Sequence, residues 1–151
     1  MEEMDLKLIQ NQAILVTGGA GFIGGAVVRR LLQKTDATVF NLDKMGYASN
    51  LDSIESVLAD LGPASHKRHQ LQKLDLSDQT AVDAAVEAAD PDLVMHLAAE
   101  SHVDRSISGP GVFIQSNING TYNLLEAIRH HYDGLVSQRR KLFRLHHIST
   151  D

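Results

Sequence analysis

Three glycines spaced three apart, Gly18, Gly21 and Gly24, interrupt the apolar stretch ILVTGGAGFIGG that runs from Ile14 to Gly25. Glycine is costly to order and buries no side chain, so this density points to a need for bare backbone. Between a strand and a helix, each position has a physical task. Gly18 permits a tight exit from the strand, Gly21 lets the backbone approach a pyrophosphate, and Gly24 lets the helix pack close to the sheet. The helix start then presents unpaired N–H groups and its positive dipole end to the anion. Asp43 follows nineteen residues after Gly24. A carboxylate at that point accepts hydrogen bonds from adenosine ribose hydroxyls and repels a 2′-phosphate, which favours NAD over NADP. Lys44, next to it, softens that preference. Asp75, in LDLSD, falls beside the expected adenine position, where a ligand contact and a loop or capping role are equally good readings.

These residues need a scaffold that brings strand ends together. AILVT (Ala13–Thr17) is a short apolar run suited to a strand buried on both faces. GFIGGAVVRRLLQK carries apolar residues at helical spacing, with Arg29, Arg30 and Lys34 in its last turns. TVFNLD (Thr38–Asp43) reads as a second strand, and LDSIESVLADLG as a helix ended by Gly62. A third strand ends near Leu74, and a helix capped by Ser77 runs to Pro91. A fourth strand covers Leu93 to Leu97, a long helix Gly111 to Tyr132, and LFRLHHIST supplies a fifth strand. Strands alternating with helices imply a doubly wound parallel sheet, a three-layer αβα Rossmann arrangement with the glycine turn at the topological switch point. The expected organisation is a leader over residues 1–12 and one NAD-binding domain over 13–151, truncated after the fifth strand.

The chain has 151 residues, a formal net charge of -5 and 43% hydrophobic residues, the profile of a globular domain. That charge disfavours a nucleic-acid role built on a basic surface. There is no cysteine, so disulfides and thiolate metal sites are excluded. No apolar run reaches the length of a membrane span, and the polar, acidic start does not read as a secretory signal. The expected location is the cytoplasm. Eight histidines are present, but His146 and His147 alternate across a strand and His130 and His131 suit a helix end, so no metal is expected. SQRRK (Ser137–Lys141) reads as a solvated basic loop.

The glycine spacing in VTGGAGFIG resembles the extended short-chain dehydrogenase/reductase family. Three further stretches, NLDKMGYASNLDSI, VMHLAAESHVDRSISGP and HHISTD, resemble its dTDP-glucose 4,6-dehydratase branch. The resemblance spans Ile14 to Asp151, and HLAAESHVDRSI is more specific than the glycine turn. It implies an enzyme in which NAD takes a hydride from C4 of the dTDP-glucose ring, water leaves across C5 and C6, and the hydride returns to C6. The product is dTDP-4-keto-6-deoxyglucose, a rhamnose and deoxysugar precursor. By the same resemblance Phe22 and Ile23 touch the pyrophosphate. Asp43, Lys44, Met45 and Gly46 surround the ribose, and Asp75 and Leu76 flank the adenine. Leu97, Ala98, Ala99 and Ser101 line the cofactor, with Ser101 also near the sugar, and Ser116 is a further cofactor contact. Thr150 binds the sugar near C4, and Asp151 is the general acid for the leaving C6 hydroxyl, a role that burial suits by raising a carboxyl's pKa.

The family also uses a Glu after that Asp and a Tyr-x-x-x-Lys pair. Tyr47, Tyr122 and Tyr132 are followed at the fourth position by Leu51, Glu126 and Val136, so no such pair occurs in this sequence. The expectation is an N-terminal fragment that binds NAD weakly and does not turn over. The family's full-length enzyme is a homodimer built partly on the long helix. His102, Asp104 and Arg105 shape the active-site loop or, for the last two, form a structural ion pair. Asn117 holds a carbonyl or water beside the site or is a plain helix residue. Two alternatives stay open: another sugar-nucleotide dehydratase or epimerase of the family, and a non-catalytic NAD-binding module.

Overall fold

The computed structural model describes residues 12–149. Five parallel strands form one sheet: β1 (Ala13–Thr17), β2 (Thr38–Asp43), β3 (His69–Lys73), β4 (Leu93–His96) and β5 (Arg144–His147), in the order β3-β2-β1-β4-β5. The connections are α1 (Phe22–Lys34), α2 (Asp52–Leu61), α3 (Gln79–Ala89), α4 (Val103–Ser108), α5 (Pro110–Phe113), α6 (Gly120–Gly134) and α7 (Ser137–Leu142). The chain leaves β3 at one edge and re-enters at β4 beside β1, so the strand order reverses between β1 and β4.

Successive residues of β1 feed opposite faces, as the strand period requires. Ile14 and Val16 pack with Val28, Leu32, Val39 and Ile54 on the α1 and α2 side. Leu15 packs with Leu42, Val86, Val94 and Leu124 on the α3 and α6 side. Ile14, Leu15 and Val16 are all fully buried, which explains why β1 reads as a continuous apolar run rather than an alternating one. By contrast β5, with no neighbour on its outer side among the described residues, is exposed at all four positions.

Several boundaries differ from expectation. The cap of α3 is Asp78, which accepts from Ala81 N–H at 3.1 Å, and not Ser77; Ser77 instead donates its N–H to Asp75 Oδ1 at 2.9 Å. The Asp75 carboxylate, four residues before the first residue of α3, thus closes an Asx turn that moves the start on by one. Strand β4 ends at His96, one residue early, because Leu97 N–H bonds to both Thr17 O and Thr17 Oγ1 at 3.2 Å as the chain turns off the sheet.

The stretch read as a loop, SQRRK, lies in α7. Arg139 there grips Asp90 with Nη1, at 3.0 and 2.8 Å, and Asp92 with Nε and Nη2, at 3.1 and 2.9 Å. Asp92 also accepts from Ala13 N–H at 3.1 Å, so the fork ties α7 to the entry of β1. The long helix is interrupted: a π turn over Ile114–Asn119 separates α5 from α6, and α6 continues to Gly134. No helix among the described residues is long and apolar enough to cross a membrane.

Candidate functional site

The glycine turn sits at the carboxyl end of β1, at the switch point. Gly18 has φ of +71°, the left-handed region that glycine tolerates, and an added Cβ would lie 2.7 Å from Ala98 Cα. The turn and the exit of β4 are therefore in backbone contact. At Gly24 an added Cβ would meet Gly18 O at 2.0 Å. Gly18 directly follows β1, so Gly24 lets α1 lie against the strand's exit. Gly21 is the residue before α1; its N–H donates to Gly18 O at 3.1 Å, and Gly25 N–H donates to Gly21 O at 2.8 Å. The N–H groups of Phe22, Ile23 and Gly24 belong to the first turn of α1, which has no intrahelical acceptors to offer them. Phe22 and Ile23 are exposed at 96% and 63%.

Asp43 is buried, and its carboxylate already has partners. Oδ2 accepts from Ala20 N–H at 3.0 Å; Oδ1 accepts from Met45 N–H at 2.8 Å and Ser49 Oγ at 2.7 Å. An ionised carboxylate has about four acceptor positions, so room for one ribose hydroxyl remains. Met45 holds φ of 56°, turning the chain sharply after Asp43, and exposed Gly46 follows. Lys44 Nζ pairs with Glu100 of the β4 exit and reaches Ser116 Oγ in the π turn at 3.3 Å. Three segments remote in sequence thus meet at one cation.

Asp75 carries the Ser77 bond noted above, which, with a smaller contribution from Lys44, holds its carboxyl below the usual range. Its local role is the turn. Leu76 O accepts from Asn123 Nδ2 at 2.8 Å, and Gly120 admits the Leu76 side chain, where an added Cβ would come within 2.9 Å. These contacts place Leu76 between the β3 exit and α6. Leu97 and Ala98 are half-buried, whereas Ala99 and Ser101 are exposed. Asn117 clamps the β4 exit from both sides: its Oδ1 accepts from Glu100 N–H at 2.8 Å and its Nδ2 donates to Glu100 O at 2.9 Å. The backbone-holding alternative for this residue is the one observed, and a π turn at such a position is a common functional device. Among the described residues no three His, Asp or Glu side chains gather as metal ligands. Thr150, Asp151 and the Arg105 side chain lie outside the described residues.

Four residues escaped the sequence reading: Thr17, His96, Thr121 and Ser49. Thr17 Oγ1 is 2.6 Å from His96 Nδ1, and His96 Nε2 is 2.9 Å from Thr121 Oγ1. His96 is 2% exposed, and its ring stacks on His147 with centroids 5.0 Å apart. Burial, with a smaller push from His147, lowers its pKa to about 4, so the ring is neutral near pH 7. The signal available in the sequence was a polar pair, Thr17 and His96, at equivalent ends of two otherwise apolar strands.

A doubly wound parallel sheet with a glycine turn at its switch point, a carboxylate at the end of β2 and free helix N–H groups defines a dinucleotide-binding Rossmann domain of the short-chain dehydrogenase/reductase kind. The chain belongs to the GDP-mannose 4,6 dehydratase family, whose model matches residues 15–151. It is 51% identical over 138 residues to the dTDP-glucose 4,6-dehydratase of Shigella flexneri, covering 91% of this chain and 37% of that protein. The dTDP-glucose 4,6-dehydratase 1 of Escherichia coli K12 gives 50% over the same length and shares. Among solved structures, the dTDP-glucose 4,6-dehydratase DesIV of Streptomyces venezuelae, with NAD bound, superposes with a TM-score of 0.67 at 35% identity, over 87% of this chain and 37% of that one. The dTDP-glucose 4,6-dehydratase of Bacillus anthracis in complex with NAD gives 0.68 at 28% identity, over 91% and 37%. The chain is thus a homologue of dTDP-glucose 4,6-dehydratases and spans a little over a third of their length.

Proposed function

We propose that these 151 residues form the NAD-binding part of a dTDP-glucose 4,6-dehydratase. The observation that carries this reading is the convergence at the switch point: Gly18 lies against Ala98, and Asp43 holds Ala20, so turn, ribose carboxylate and β4 exit form one crevice. The residues fit the cofactor. Bare backbone at Gly18 and Gly21, with the N–H groups of Phe22, Ile23 and Gly24, would receive the pyrophosphate. Asp43, Lys44, Met45 and Gly46 would surround the adenosine ribose, with Asp75 and Leu76 at the adenine. Leu97, Ala98, Ala99, Ser101 and Ser116 would line the rest of the crevice, with Ser101 also meeting the sugar nucleotide.

Bound NAD supplies reversible hydride acceptance from the sugar. The chain's own contribution is placement and charge: Asp43 rejects a 2′-phosphate, and the Lys44–Glu100 pair joins the two walls of the crevice. Thr150 binds the sugar and Asp151 protonates the leaving hydroxyl. With no Tyr-x-x-x-Lys pair among them, these residues alone bind NAD without completing the dehydration. The exposed apolar residues Ile114, Ile118 and Tyr122 form the pairing face of a homodimer of the whole enzyme.

Calorimetric titration of the chain with NAD and with NADP tests this. The expected result is measurable NAD binding, NADP weaker by about tenfold, and no conversion of dTDP-glucose. Absence of heat and of thermal stabilisation at millimolar NAD would overturn it.

A further inference from the structure

Thr17 Oγ1 has more than one neighbour. It accepts the N–H groups of Leu97 and Ala98, each at 3.2 Å, and stands 2.6 Å from His96 Nδ1. A hydroxyl oxygen has two acceptor positions. With both taken by backbone N–H groups, its own proton goes to His96 Nδ1. That bond requires an unprotonated Nδ1, so the imidazole proton is on Nε2 and is donated to Thr121 Oγ1 at 2.9 Å. The relay joins the end of β1, the end of β4 and the first turn of α6 in one direction of donation.

We propose that His96 is a positioning residue for the cofactor site: its Nε2–H tautomer aims the Thr17 hydroxyl so that this oxygen holds Leu97 and Ala98 against the glycine turn. Placement is what matters here, because Ala98 N and Cα are the atoms that an added Gly18 Cβ would meet at 2.8 and 2.7 Å. Protonating Nδ1 gives the oxygen a third donor to satisfy, and turning the Thr17 hydroxyl sets its proton against the backbone N–H groups; either frees the β4 exit to move off Gly18. Complete burial of Thr17 and near-complete burial of His96 leave no water to repair the loss. Among the described residues, the stacked ring of His147, the register partner of His96 on β5, is the titratable group facing the imidazole. Its consequence for binding rests on the NAD reading given above; its consequence for the β4 exit does not.

Two measurements on the 151-residue chain separate these. Hydrogen exchange reads the exit without ligand. In His96→Leu the Ala98 amide, which the Thr17 hydroxyl holds, exchanges about tenfold faster, while Leu15 and Val16 in the central strand keep their protection. Calorimetry reads binding, where the same variant loses about tenfold in NAD affinity. His96→Asn places an acceptor where Nδ1 stood and restores most of both. Nitrogen NMR of the unsubstituted ring shows Nε2 protonated and Nδ1 bare. Uniformly faster exchange across the sheet, Asn rescuing no better than Leu, or a proton found on Nδ1 overturns the proposal. If the unsubstituted chain fails to bind NAD, the cofactor reading falls, and selective exchange with Asn rescue still decides the positioning role. Should His96→Leu not fold, Thr17→Val carries the exchange test, with the same selective loss expected and unchanged exchange at Ala98 overturning it.

Discussion

Asp43 Oδ2 accepts the backbone N–H of Ala20 at 3.0 Å, so the carboxylate that ends β2 holds the glycine turn that follows β1. Gly18 N–H donates to Leu42 O at 2.8 Å one residue away, which fixes the same junction a second time. The sequence pattern assigns Asp43 to a ligand, and the structure adds an internal task. One carboxylate shapes the glycine turn and, under the NAD reading proposed above, would meet the ribose, so its loss is expected to act on both.

Asp43→Asn keeps the size of the side chain but sets an amide donor against the donors of Ala20, Met45 or Ser49. The expected cost is about 1–3 kcal/mol, or a fall in thermal midpoint of roughly 3–10 °C for a domain of this size. Thermal unfolding with and without NAD measures it. The NAD-induced rise in midpoint is expected to shrink as well. An unchanged midpoint with a reduced NAD effect would leave Asp43 with the ligand task alone.

Gly18→Ala places a Cβ 2.7 Å from Ala98 Cα in a left-handed backbone conformation. Neither neighbour is a flexible side-chain end, so strain and overlap add, for about 2–4 kcal/mol. Urea unfolding is the measurement. Gly62→Ala makes the comparison: nothing lies within 4 Å there, so only the backbone cost applies, about 1–3 kcal/mol for φ +87° with ψ 173°. A loss at Gly18 smaller than that at Gly62 would refute the contact between the turn and the β4 exit.

Much of this was legible in the sequence. β1, β2 and α1 stand where the apolar runs and glycines put them, because local pattern and burial agree there. Asp43 and the glycines were legible because a strand–turn–helix with that spacing constrains backbone geometry locally. What escaped depends on contacts between remote segments. Lys44 meets Glu100 and Ser116, and Arg139 meets Asp90 and Asp92; no periodicity encodes either. The charge run around Arg139 resembles a solvated loop until the Asp pair it grips is in place. Likewise, His96 looks like one more histidine until Thr17 and Thr121 flank it.

The pH dependence of stability follows from His96. Burial holds its folded pKa at about 4 against 6.5 for the free group. Between those values the unfolded chain binds more protons than the folded one, so stability rises with pH there and is lost as pH falls from about 6.5 to 4. The loss is at most about 3 kcal/mol. His69, lowered in the same direction by burial, adds to it in the upper part of that window. Asp75, held below its ordinary 3.8, contributes stability that disappears only at still lower pH. Urea midpoints measured across this range check the sign, and His96→Asn is expected to flatten most of the slope. A stability that is constant from pH 7 to 4.5 would contradict the buried neutral ring.

Arg139→Lys retains the charge and loses the fork. Arg139 is more than a third exposed, so screening reduces the Coulomb gain and geometry carries the effect. The expected loss is about 1 kcal/mol, visible as a midpoint lower by a few degrees, with Arg139→Ala losing more. Because Asp92 also receives Ala13 N–H, the amide of Ala13 is expected to lose exchange protection in both variants. Retained protection there would confine the pair to the surface.

The apolar stripe outside the site gives the last expected outcome. Ile114, Ile118, Tyr122 and Leu125 are exposed at 49%, 58%, 61% and 44%, and their spacing of four, four and three puts them on one helical face across the π turn and α6. Contiguous apolar surface of this kind favours association. The opposite face of α6 is committed to the core through Leu124, Ala127 and Ile128, so a charge on the exposed stripe does not disturb packing. Ile118→Asp sets a carboxylate in the middle of the stripe, where a partner surface would have to bury it unpaired. Sedimentation velocity is expected to show concentration-dependent dimers for the unsubstituted chain and monomers for the variant, with identical circular dichroism. Leu61, exposed at 42% at the end of α2 on the other face of the sheet, makes the control: Leu61→Asp leaves the dimer intact. Monomers for the unsubstituted chain at every concentration would show that the stripe does not pair in these 151 residues.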